Sequence, residues 1–232
     1  MLGYVCKYTP MELFEAMDTE ITRLEPSVTD FNHADTLMHA NICSYTKAVL
    51  EDVMEHDYEG VILTTCCDSI RRLYDTLKSQ FPDKFFFLLD IPRKFNDFAV
   101  ALYERQLKQM LTEYEAFSGK TLDLKRFVSM MQNKAALKKQ ENTRMSASAA
   151  SEKGNGQKLN IGIMGARCNN EIRQLLVDRG ANLLFDLTCT GLARDFSITE
   201  DQALHSYAAA LLNQIPCLLY TSDAADELDG VD

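Results

Sequence analysis

The sequence lacks an excess of positive charge: 24 Lys and Arg stand against 34 Asp and Glu, a formal net charge of -10 at pH 7. No basic face is evident to neutralise phosphates, which argues against a general nucleic-acid binder. A local basic pocket for an anionic cofactor remains compatible with it. No apolar run approaches the roughly 20 residues that a membrane-crossing helix needs. The opening MLGYVCKYTP has neither the basic start nor the long apolar middle of a signal peptide, so a cytoplasmic location is expected. CxxC and other zinc spacings are missing too, which argues against a zinc ribbon or finger. No Ser–His–Asp or Cys–His catalytic set can be assembled from spacing alone.

The seven cysteines are Cys6, Cys43, Cys66, Cys67, Cys168, Cys189 and Cys217. An odd count without an export signal favours reduced thiols, serving as packing residues or as ligands. With 232 residues, 46% hydrophobic and 25% charged, the chain suits one large or two small globular domains.

Short apolar runs alternate with amphipathic ones. Strands are expected at 2–6, 21–26, 60–65 and 84–90, with GVILTT and KFFFLLD continuous enough to be buried on both faces of a parallel sheet. Helices are expected at 9–17, where Glu12 follows Thr9-Pro10 by capping-box spacing, and at 43–56. A further helix is capped by Asp68 and carries Ile70, Leu73 and Leu77 on one face. A long helix from 96 to about 119 repeats apolar positions at Phe98, Leu102, Met110 and Phe117. The β-α-β-α order predicts an α/β fold: parallel-sheet, Rossmann-like or flavodoxin-like domains with flanking helices and right-handed crossovers. In such sheets ligands bind at the carboxyl ends of strands, where Cys66, Cys67, Asp68 and Asp90 fall.

The expected organisation is an N-terminal α/β domain with a helical extension over 1–140, a polar linker or loop over 141–158, and a second, incomplete α/β domain beginning at 159–216. That second unit has strands at 159–165 and 181–186 and helices near 170–178 and 199–213. CLLYTSDAADE, from 217 to 227, back-translates onto the end sequence of a common transposase-based sequencing adapter, so 217–232 is read as a non-native tail.

Cys43 opens a helix and Cys67 ends a buried strand. A thiolate at a helix N-terminus has a lowered pKa and is ready to bind metal, whereas a buried free cysteine packs as a small hydrophobe. Both roles stay open on the residues alone. His33, His39, His56 and His205 have no ligand spacing between them. His39, four residues before Cys43, is a candidate acid or base. Arg71 and Arg72 read as a solvated helix face, or as contacts for a phosphate. GIMGAR resembles a phosphate-binding turn but lacks the third glycine of the dinucleotide fingerprint.

Taken in series, LGYVCKYTPMELFEAM, HANICSYTKAVLEDV, GVILTTCCDSIRRLYD and FFFLLDIPRK resemble the 2-hydroxyacyl-CoA dehydratase family, which also contains the benzoyl-CoA reductase subunits. GIMGARCNNEI and ANLLFDLTCTG resemble the start of that family's second domain. The resemblance implies a 4Fe–4S cluster with Cys43 and Cys67 as ligands, Cys66 as fallback, and a third ligand beyond this sequence. It implies a lyase that removes water from an acyl-CoA substrate by a ketyl-type radical route. Its partners would be a homologous second subunit and an ATP-hydrolysing iron–sulfur activator protein. Cys6 and Cys189 are expected to pack, while Cys168 is either a surface thiol or near the cleft. Within the family a reductase of the benzoyl-CoA or double-cubane type is the alternative. Outside it, the alternative is a non-catalytic α/β binding protein with buried thiols.

Overall fold

The computed structural model describes residues 1–28, 30–149, 159–165, 168, 170–189 and 198–214. Its first sheet is made of β1 (Leu2–Tyr4), β2 (Ile21–Arg23), β3 (Gly60–Thr64) and β4 (Phe85–Leu89). All neighbours pair parallel, in the order β2-β1-β3-β4. The chain thus leaves β1 in one direction, returns across it, and continues the other way through β3 and β4. The α/β expectation holds, and this strand order is the flavodoxin-like one, whose switch point lies between β1 and β3.

The crossover helices are α1 (Met11–Ala16), α2 (Asn32–Leu37), α3 (Ser44–Glu55) and α4 (Asp68–Gln80), followed by α5 (Asp97–Ser118) and α6 (Leu124–Ala149). Right-handed crossovers put α1 on one face of the sheet and α3 with α4 on the other; α3 packs beside α4. Covered on both sides, β3 is buried at all five positions, which is why its sequence is a continuous apolar run. Gly60 begins it because a Cβ there would lie 1.8 Å from the Phe85 carbonyl oxygen. On α4, Ile70, Leu73 and Leu77 are the buried stripe, as the helical spacing predicts.

Four local expectations are corrected. The buried stripe of α5 is Ala99, Val100, Tyr103, Leu107, Met110, Leu111 and Tyr114, whereas Phe98 is 79% and Phe117 42% exposed. Tyrosine wins these positions because each hydroxyl finds a partner inside: Tyr103 donates to the Tyr8 carbonyl at 2.7 Å, and Tyr114 lies 3.1 Å from the Thr19 hydroxyl. Glu12 is no capping-box residue: it is buried and accepts from the Tyr207 hydroxyl at 2.5 Å. Asp68 is the first residue of α4 rather than its cap. The fourth correction is that α6 runs on to Ala149, across the first nine residues of the stretch expected to be a polar linker or loop.

A second, two-stranded parallel sheet pairs β5 (Leu159–Ile163) with β6 (Ala181–Asp186), joined by α7 (Asn170–Asp178). The last described helix, α8 (Ala203–Leu212), packs on α5. Residues 150–158 of the expected linker, and the expected tail at 217–232, lie outside the described residues. Among the described residues no helix is long and apolar enough to cross a membrane.

Candidate metal centre

Every crossover helix of a parallel sheet starts at the carboxyl edge of its strand, so that edge collects helix N-termini. Two of them carry cysteines at the N-cap. Cys43 caps α3 in an extended conformation, and Cys67 caps α4 likewise. Neither helix has a side-chain cap hydrogen bond at that position. The first-turn amides are therefore available to a sulfur carrying negative charge.

Cys67 shows the effect. Its thiol is pulled down to about 6, first by the hydrogen bond from Cys66 and then by the Ile70 and Ser69 amides, against burial and the neighbouring Asp68 carboxylate. The Cys66 thiol is pushed up, by that same bond and by burial, with Cys6 close by. The shared hydrogen bond therefore favours the thiol form at Cys66 and the thiolate form at Cys67, where the helix amides favour negative charge.

The chain entering this corner is tightly held. Thr65 donates its backbone N–H to the Leu89 carbonyl at 2.9 Å and its hydroxyl to Asp90 at 2.8 Å, and accepts the Ile91 N–H at 3.1 Å. β3 and β4 thus remain laced together past their last ladder residues. Asp90, read as lying at a strand end, serves this lacing.

Cys43 is exposed, with its sulfur 3.0 Å from the Thr46 hydroxyl. The turn before it is closed by an Ile42 N–H to His39 carbonyl bond at 3.0 Å. His39 is exposed and its Nδ1 accepts the Asn41 N–H at 3.1 Å, which puts the neutral ring's proton on Nε2. Cys66 is half-buried and packs against the core, Cys6 and Cys168 are buried, and Cys189 is half-buried. Arg71 and Arg72 face Asp68 and Asp75 at 3.8 and 3.1 Å along their own helix.

The sequence reading missed the pairing of His33 with Glu51 at 2.6 Å. Its one signal was a lone carboxylate on the apolar side of α3. Among the described residues no group of three or more His, Cys, Asp or Glu is arranged to hold a metal ion. The donor chemistry still fits iron and sulfide: two thiols at helix N-termini, one with its pKa lowered, are soft ligands.

A family model described as 2-hydroxyglutaryl-CoA dehydratase, D-component, matches residues 6–143. That span includes both capping cysteines. No curated protein matches the chain.

Proposed function

The chain belongs to the 2-hydroxyglutaryl-CoA dehydratase D-component family, a membership that implies a hydro-lyase with an iron–sulfur cluster, and from that premise we propose that it is a cluster-bearing subunit of a 2-hydroxyacyl-CoA dehydratase. Cys43 and Cys67 hold two irons of a 4Fe–4S cluster, and the third ligand lies outside the described residues. The observation that carries this reading is the pair of cysteine N-caps on α3 and α4, both within the matched span. When bound, such a cluster supplies one-electron chemistry and an iron with an open position for a substrate oxygen.

The chain's own residues have definable parts. The lowered pKa of Cys67 favours the thiolate form that metal binding requires. Cys66 keeps its proton and donates to that sulfur, the kind of contact that tunes a cluster's potential. His39, with its proton on Nε2, can donate to a departing hydroxyl. The proposed partners are a homologous second subunit and an ATP-hydrolysing activator, with an acyl-CoA as substrate, in the cytoplasm.

The test is iron content of the full-length protein, third ligand included, after anaerobic purification and reconstitution. The wild type is expected to hold iron with visible charge-transfer absorption, and Cys43→Ser and Cys67→Ser to lose it, while Cys6→Ser retains it. An iron-free, colourless wild type would instead support a binding protein with buried thiols. Cys66→Ser losing iron while Cys67→Ser keeps it would exchange the roles of the two neighbours.

A further inference from the structure

Glu51 is a carboxylate with a 3% exposed side chain. Burial of this kind is costly unless every oxygen is engaged, and here both are. Oε1 accepts the buried Ala34 N–H at 2.8 Å, and Oε2 lies 2.6 Å from the His33 imidazole Nδ1. Ala34 and His33 belong to α2, whereas Glu51 belongs to α3, so the carboxylate fastens one helix to the other. A second fastening lies outside it: Lys47 pairs with Asp35 at 2.6 Å and sits 5.8 Å from the centre of the Phe31 ring.

The short segment between these helices contains both His39 and Cys43. It leaves α2 through a Met38 N–H to Ala34 carbonyl bond at 2.8 Å and closes on itself at His39 and Ile42. It then enters α3 where the Lys47 N–H meets the Cys43 carbonyl at 3.2 Å. Ala34 is thus fixed by Glu51, and Cys43 is fixed as the cap of the same helix that carries Glu51. The segment is a closed strap with both ends on α3. Glu51 is two turns along α3 from Cys43, roughly 12 Å, so it touches no reacting group itself.

We propose that Glu51 is the positioning residue for Cys43, holding the strap from Ala34 to Cys43 against α3 so that the sulfur is presented in one place. This rests on the reading of Cys43 as a cluster ligand, and the test separates the two. The full chain is compared as wild type, Glu51→Ala and Glu51→Gln. Hydrogen exchange is measured on iron-free protein, and iron content after anaerobic reconstitution. Removing the carboxylate leaves the Ala34 N–H buried without an acceptor, so amides of residues 39–46 should exchange about tenfold faster in Glu51→Ala. Amides of residues 68–75 should keep their rates. Glu51→Gln keeps the acceptor for Ala34 and should return the strap most of the way to wild type. Iron retention should follow the same order.

Unchanged exchange over 39–46 would overturn the proposal, and so would equal acceleration over 68–75, which would mark general loosening. Selective acceleration with an accompanying loss of iron supports it. Selective acceleration in a chain whose wild type never binds iron would leave the strap coupling standing and remove the cluster reading instead.

Discussion

The two parallel sheets of this molecule have similar sequences and opposite surroundings. β3, GVILT, is buried at every position, with α4 packed against it. β5 and β6, LNIGI and ANLLFD, have no buried residue at all, and neither has α7. Leu184 is 59% exposed and Leu159 69%. Parallel strands are normally covered on both faces, so the contrast separates what an apolar run needs to pair from what it needs to be stable. Pairing requires only a neighbour in register. Stability comes from the layers laid over it.

The largest difference should appear when a leucine is removed from each sheet. Leu63 is fully buried, and Leu63→Ala should cost about 2–5 kcal/mol of unfolding free energy, cavity term included. Leu184→Ala should stay within about 0.5 kcal/mol, and equal costs in urea unfolding would erase the distinction. Glycine gives a finer version. Gly60→Ala brings a Cβ to 1.8 Å from the Phe85 carbonyl oxygen, a backbone atom, and should cost about 1–3 kcal/mol. Gly162→Ala first meets the Phe185 ring, at 2.1 Å, and that residue is 47% exposed and able to swing aside. Its melting temperature should fall much less.

Hydrogen exchange should sharpen the contrast without mutation. Amides of β3 should exchange only on global unfolding, and those of β5 and β6 by local opening. The smallest effect concerns acidity. Burial opposes ionisation of Glu51, but the Ala34 amide and His33 outweigh it and hold its carboxyl below the ordinary carboxylate range. A pKa depressed in the folded state adds stability above the ordinary range, and the addition is lost as pH falls through the folded value. The urea midpoint of the wild type should therefore drop more steeply in acid than that of Glu51→Gln. Parallel curves would show that the carboxylate contributes nothing through its charge.

The first sheet was legible because its strands are unbroken apolar runs and its helices repeat at 3.6 residues. The α5 face was misread, because Phe98 looks more buriable than Tyr103 or Tyr114 until the partners of the tyrosine hydroxyls are known. The cysteines at 43 and 67 were legible as helix starts. The cap of α4 was assigned one residue late because Asp is the better-known capping type, while the extended backbone falls at Cys67. Neither α2 nor the Glu51 clamp could be read, since a bond across 18 residues of sequence depends on the chain doubling back, which periodicity does not encode.

Thr65 has one further consequence. Bolted to β4 through its amide and its hydroxyl, it gives the two residues after it a fixed point of departure. The directions in which Cys66 and Cys67 project are then set by a main chain held in place, Cys67 being extended at the start of α4. Changing Thr65 to Val would keep the shape and the amide bond to Leu89 while removing the hydroxyl's contacts with Asp90 and the Ile91 N–H, loosening one of the two fastenings at that corner.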